Sequence, residues 1–237
     1  MSAPVWVILP TYDEAATLAP VVLGVLAAVP GARVLVVDDA SPDGTGAIAD
    51  ALAAEHAGVE VLHRPGKTGL GAAYVAGFAR ALEAGAERVV QMDSDLSHDP
   101  ADLPRMLASD AALAIGSRYV PRGGVEGWGA VRRAVSWGGC AYARRVLGSP
   151  VRDLTSGMRC WRADALATVE PASLRSQGYA FQVELAYRTL RSGLTVEEIP
   201  IVFRGREHGR SKMSARIAVE AAWLVPALRF AGWVPNT

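Results

Sequence analysis

Five short, nearly uninterrupted apolar runs recur along the first half of the chain, at residues 5–9, 33–37, 59–63, 88–92 and 112–116, separated by alanine-rich stretches of helical length. Runs this short that do not alternate with polar residues suit strands buried on both faces. Strands that alternate with helices build a mostly parallel sheet with helices on both faces. Past residue 120 the rhythm changes to a Gly-rich segment, "PRGGVEGWG", then helices expected near 128–147 and 179–192, then a strand-like "TVEEIPIVF". No repeat, linker or low-complexity tract interrupts the 237 residues. They read as one α/β domain, 1–237, with a nucleotide-binding-type first half and an elaborated second half.

Polar clusters stand where the apolar runs finish: "PTYDE" after the first, "DDASPDGT" after the second and "DSDLSHD" after the fourth. Open α/β sheets bind ligands beyond the carboxyl ends of their strands, so these clusters are the candidate site. Overall charge adds nothing to that picture. Lys plus Arg and Asp plus Glu balance at 24 each, which argues against a nucleic-acid partner. Cys140 and Cys160 lack zinc-site spacing, and no signal peptide precedes "VWVIL", so a cytoplasmic setting with free thiols is expected. The uncharged stretch 15–32 is long enough for a membrane span, but Pro20 suits the first turn of a helix and Pro30 a stop, leaving a buried helix of about ten residues. Near the end, Glu220, Pro226 and Arg229 interrupt another apolar stretch, whose Trp223, Phe230 and Trp233 suit a membrane interface.

Two apparent phosphate loops fail on spacing. "GKT" at 66–68 lacks the earlier P-loop glycine, since Val61 occupies its place. "GLGAAY" has Tyr74 where a dinucleotide fingerprint needs its third glycine, and it reads instead as a helix start packed close to a neighbour. In "DDASPDGT", Asp43 or Thr45 is a helix cap, whereas adjacent Asp38 and Asp39 repel each other unless a ligand such as a nucleobase amino group uses them. Asp93, Ser94 and Asp95 form either a solvated acidic loop or a cation site. Carboxylates two apart on an extended strand end face the same way, and Mg²⁺ or Mn²⁺ binds through one or two carboxylates plus substrate phosphates. An EF-hand is excluded, because the sixth-position Gly and the terminal Glu are missing. The basic stretch 204–212, with Arg204, Arg206, Arg210 and Lys212, carries Gly205 and Gly209 and is suited to a mobile lid that grips phosphates.

In this order, "LPTYDE", "VVDDASPDGT", "GLGAAY", "MDSDLSHDP", "GSRY", "DLTSGMR" and "VFRGREHGRSKM" resemble GT-A family 2 glycosyltransferases, and among them the polyprenol-phosphate (dolichol-phosphate) mannose synthases. The resemblance runs from about residue 8 to 214; "DSDLSHDP" with "TSGMR" and "HGRSKM" is its most specific part. It implies a GT-A fold and metal-dependent transfer of mannose from GDP-mannose to a polyprenyl phosphate, with inversion, at the cytoplasmic face of a membrane. It implies that Pro10, Tyr12, Glu14, Val37 and Asp39 surround the guanosine, and that Asp93, Ser94 and Asp95 serve the metal and diphosphate. Ser97 stands where some members place a glutamine near the metal. Arg118, Arg132 and Ser136 would meet the acceptor phosphate, and Arg206 and Lys212 would close over the donor; Asp95, Arg118, Arg206 and Lys212 are the expected catalytic residues. Arg204 adds a charge where the family is often apolar. A lipid phosphate is already anionic, so no strong general base is required. The alternatives are transfer of glucose from UDP-glucose to the same lipid, and an inactive sugar-nucleotide-binding protein.

Overall fold

Both faces of the first strand are buried: Trp6 and Ile8 point into one apolar layer while Val7 and Leu9 point into the other. A computed structural model describes residues 4–174, 176, 179–205, 223 and 225–230. Its strands are β1 (Val5–Thr11), β2 (Arg33–Asp38), β3 (Val59–His63), β4 (Arg88–Gln91), β5 (Leu113–Ser117), β6 (Gly124–Glu126), β7 (Arg159–Arg162), β8 (Val196–Pro200) and β9 (Val202–Arg204). Its helices are α1 (Leu18–Ala28), α2 (Thr45–Glu55), α3 (Leu70–Glu83), α4 (Leu103–Leu107), α5 (Ala130–Leu147), α6 (Ala163–Thr168) and α7 (Tyr179–Arg191).

Seven strands form one sheet in the order β3-β2-β1-β4-β7-β5-β8, and β6 pairs with β9 in a separate parallel ribbon. β3, β2, β1 and β4 are parallel, as are β5 and β8, so the expected mostly parallel sheet with helices on both faces is observed. One layer joins β1 and β2 to α1 and α2; the other joins them to α3, α5 and α7. α1 buries Leu18, Val21, Val22 and Val25, an i, i+3, i+4, i+7 stripe, with Pro20 in its first turn. The stretch that could have been a span is therefore a core helix. Among the described residues no helix is long and apolar enough to cross a membrane.

The antiparallel β7, inserted between β4 and β5, was not expected from the sequence. Its four residues, "RCWR", are too few to show a period, and arginines bracket them. Arg159 opens the strand fully buried, donating from Nε to the Ser156 carbonyl (3.0 Å) and from a terminal nitrogen to the Leu154 carbonyl (2.8 Å). A residue that composition assigns to the surface thus braces the loop leading to β7.

Candidate active site

The loops after β1, β2 and β4 meet at the carboxyl edge of the sheet, and each contains a non-glycine residue at positive φ: Asp13 (60°), Ala40 (56°) and Leu96 (62°). Left-handed backbone costs such residues about 1–2 kcal/mol each, so surrounding contacts must hold it. Those contacts are present. Three successive backbone N–H groups of the first loop, at Asp13, Glu14 and Ala15, donate to Ser41 Oγ (3.2 Å), Thr45 Oγ1 (3.0 Å) and Asp43 Oδ2 (3.0 Å) of the second. Asp43 also accepts from the Thr45 N–H, beside Gly44 at the start of α2. Ser94 Oγ ties the third loop to the first through the Pro10 carbonyl at 2.9 Å.

β4 ends at Gln91, so Asp93 and Asp95 lie in a bent loop, and the facing expected from an extended strand does not apply to them. Local hydrogen bonds orient them instead. The Asp93 N–H donates to His98 Nδ1 (3.2 Å), and the Ser97 N–H donates to Asp95 Oδ1 (3.0 Å). Tyr74, fully buried on α3, donates its hydroxyl to Asp93 Oδ1 at 3.4 Å; burial first, and then the Asp93 charge, push that phenol well above its usual range. Asp95 and Ser97 are buried, whereas a quarter of the Asp93 side chain is exposed. A Cβ at Gly157 would touch both Asp93 carboxylate oxygens and His98 Cε1 at 3.4 Å, so the absent side chain leaves room beside that carboxylate. Ser97 Oγ is buried with no hydrogen-bond partner among the described residues.

At the β2 end, the chain resolves the repulsion between the adjacent aspartates. Asp38 accepts from Thr11 Oγ1 (3.0 Å) and Ser41 Oγ (2.6 Å), while Asp39 pairs with Arg64. Burial still pushes the Asp39 carboxyl up, against the pull of Arg64. Lys67 Nζ lies 3.6 Å from the centre of the Tyr12 ring. The stretch 66–68, set aside as a phosphate loop, thus borders Tyr12 through Lys67, and Arg64 just before it borders Asp39. No motif flagged Arg64; only the parallel β2–β3 pairing reveals it, carrying the chain past His63 back toward Asp38. Glu14 starts α1 through its carbonyl, which accepts from the Thr17 and Leu18 N–H groups. Val37 is a correction: its side chain is wholly buried in the core, with β2 paired on both edges, so it is not offered to a nucleotide.

The residues expected around an acceptor phosphate gather at β5 and α5. Arg118 is not an open cation: Nε and a terminal nitrogen each reach an Asp153 oxygen at 2.7 Å, and the side chain is 6% exposed. Ser136 Oγ accepts from the Tyr119 hydroxyl at 2.7 Å, and the Arg132 guanidinium lies 4.0 Å from the centre of a Trp128 ring. Arg132 and Ser136, four apart on α5, share one side of the helix. The buried thiols of Cys140 and Cys160 are free, and burial pushes them up to about 11 and about 12.

Arg204 has a partner after all: it bonds Asp99 at 2.9 Å, and its backbone N–H donates to the Ser97 carbonyl at 3.0 Å. Gly205 is held as well, donating to the Glu126 carbonyl at 2.9 Å, and a Cβ there would press on the Gly127 carbonyl oxygen. Close approach to Gly127 accounts for a glycine at this position. Arg206, Gly209, Arg210 and Lys212 lie outside the described residues.

Residues 6–169 match the family model described as Glycosyl transferase family 2. The chain is 50% identical over 217 residues to the Undecaprenyl-phosphate mannosyltransferase of Micrococcus luteus, covering 90% of this chain and 89% of that one. It is 47% identical over 223 residues to the Polyprenol monophosphomannose synthase of Mycolicibacterium smegmatis, covering 92% and 84%. Among solved structures, glucosyl-3-phosphoglycerate synthase from Mycobacterium tuberculosis, in complex with Mn²⁺, UDP and glucosyl-3-phosphoglycerate, superposes with a TM-score of 0.70 at 21% identity, covering 100% of this chain and 82% of that one. That likeness is one of fold.

Proposed function

This chain belongs to glycosyl transferase family 2, and from that premise we propose that it transfers mannose from GDP-mannose to a polyprenyl phosphate, with inversion at the sugar carbon. An oxygen of the lipid phosphate attacks that carbon, the bond to the diphosphate breaks, and the electron pair leaves with GDP. The observation that carries the reading is the Asp93–Asp95 loop at the carboxyl edge, in a chain half identical to a protein named for mannosyl transfer to undecaprenyl phosphate. The donor's base and ribose would lie along Pro10, Tyr12, Glu14 and Asp39, bounded by Arg64 and Lys67. The phosphate of the acceptor would meet Arg132 and Ser136. Arg118, neutralised by Asp153, would shape that pocket more than charge it. Arg206 and Lys212 would hold the donor's phosphates.

The donor set fits a divalent cation. Asp93 and Asp95 would hold Mg²⁺ or Mn²⁺ with the Ser97 hydroxyl, whose oxygen has no other partner among the described residues. A hard cation that also binds substrate phosphates needs only one or two protein carboxylates. When bound, such a cation supplies positive charge to the departing diphosphate. The chain's own part is positioning: it fixes two carboxylates through backbone N–H groups and needs no strong base, because the nucleophile arrives ionised.

A polyprenyl tail keeps the acceptor in lipid, so the rim of the site must approach a membrane surface on the cytoplasmic side. α5 exposes Val131, Val135 and Trp137 beside Arg133, Arg144 and Arg145, and the C-terminal part exposes Trp223 and Phe230. Apolar side chains flanked by arginines suit an anionic lipid interface.

The test is transfer of label from radioactive GDP-mannose to a short-chain polyprenyl phosphate, followed into the organic phase with Mn²⁺ or Mg²⁺ present. Label should partition with the lipid, and EDTA should stop the transfer. Transfer from UDP-glucose alone would replace the donor. No transfer from either nucleotide, with both metals tried, would leave a binding protein and overturn the reading.

A further inference from the structure

Trp128 lies between β6 and α5 with 8% of its surface exposed, and its indole Nε1–H is buried with no hydrogen-bond partner among the described residues. An indole nitrogen can only donate, so nothing but an acceptor satisfies it. Buried donors in folded proteins are nearly always paired, and an exception calls for an explanation.

The surroundings supply one. The Arg132 guanidinium sits over the Trp128 ring at 4.0 Å, and Arg132 Nε–H is likewise buried with no partner among the described residues. Phe203 meets Trp128 edge-on at 5.3 Å and meets His98 edge-on at the same distance. His98 accepts the Asp93 N–H at Nδ1, which assigns its proton to Nε2, and that atom too is buried with no partner among the described residues. One contiguous wall therefore carries three N–H donors, from Arg132 through Trp128 and Phe203 to His98 beside Asp93. The nearby carboxylate of Asp153 is engaged by Arg118 and does not serve them. Donors gathered with no acceptor bonded to them, among the described residues, complement an anionic oxygen.

We propose that Trp128 is a binding residue of the acceptor site, its indole N–H donating to a phosphate oxygen of the lipid acceptor while its ring holds the Arg132 guanidinium toward the same group. The proposal rests on the acceptor reading given above. It assigns Trp128 two separable tasks, one needing the N–H and one needing only an aromatic face.

The test uses the full chain, labelled with ¹⁵N, which has six tryptophans. The Trp128 indole resonance is identified by its loss in Trp128→Phe, or, should that variant not fold, by its Overhauser contact with the Phe203 ring. A short-chain isoprenyl phosphate should move this resonance, while the uncharged isoprenol of equal length should not. Trp128→Phe should raise KM for the lipid phosphate about tenfold, the scale of a lost hydrogen bond to a charged group, with KM for GDP-mannose unchanged. If the lipid phosphate is turned over and the resonance stays still, Trp128 has only a packing role and the inference is overturned while the proposed function stands. A response to GDP alone would assign the N–H to the donor and overturn it as well. Neither turnover nor binding of the lipid phosphate would overturn both.

Discussion

Asp153 shows how one carboxylate serves a site from behind. Burial by itself would push its pKa up, but the hydrogen bonds and charge of Arg118 more than offset that and hold it below the usual 3.8. A carboxylate whose folded pKa is depressed contributes stability above its unfolded value and loses it as pH falls through the folded one. Asp153→Asn should cost about 3–5 kcal/mol near neutral pH, because it strands a buried guanidinium. Urea melts should find the gap to wild type narrowing once the pH drops below 3.8; a gap independent of pH would show that the pair does not carry the difference. Asp95→Asn belongs to the other kind of residue. It is buried but nearly unchanged in shape and keeps an oxygen for the Ser97 N–H, so it should cost about 1 kcal/mol, the centre of the range for point changes, while losing metal-dependent transfer. Near-wild-type turnover in that variant would remove Asp95 from the reaction.

At the scale of elements, α3 is the piece whose position decides most. It brings Tyr74 under Asp93, and it can do so because Gly77 lets the helix lie against β1: a Cβ there would overlap Ile8 Cγ2 and come within 3.3 Å of Val37. Gly71 makes the same allowance for Phe181 on α7, whose ring stacks on Tyr74. Gly77→Ala should destabilise by about 1–3 kcal/mol, as overpacking does, despite the better helix propensity of alanine. Paired with Ile8→Ala it should cost less than the sum of the two single changes, since both act on one contact. Simple additivity in denaturant melts would mean that the helix shifts instead. The expectation that "GLGAAY" starts a closely packed helix is met at Gly71, which lies against Phe181, whereas Gly77, which lets α3 approach β1, stands beyond that motif.

At the scale of the whole molecule, the exposed apolar groups on α5 and near residues 223–230 belong to the proposed membrane face. Val131→Ser combined with Trp137→Ser should at least halve the fraction of protein that floats with anionic vesicles, a drop of about 0.4 kcal/mol or more, with the circular dichroism unchanged. Equal flotation would place the lipid contact elsewhere. Strand and helix order in the first half was legible because a buried parallel sheet leaves uninterrupted apolar runs, and polar clusters after them mark its carboxyl edge. That edge holds Asp93 and Asp95, as their position in the sequence required. β7 and Arg159 were illegible, since a four-residue strand has no period and a buried arginine looks like a surface one. Tertiary structure alone decided which charges are open. Arg118 and Arg132 look alike in sequence, yet Asp153, thirty-five positions beyond Arg118, closes on it and leaves Arg132 over Trp128. Such pairings depend on distances that only a folded backbone sets, whereas a strand's burial is written in its own consecutive residues.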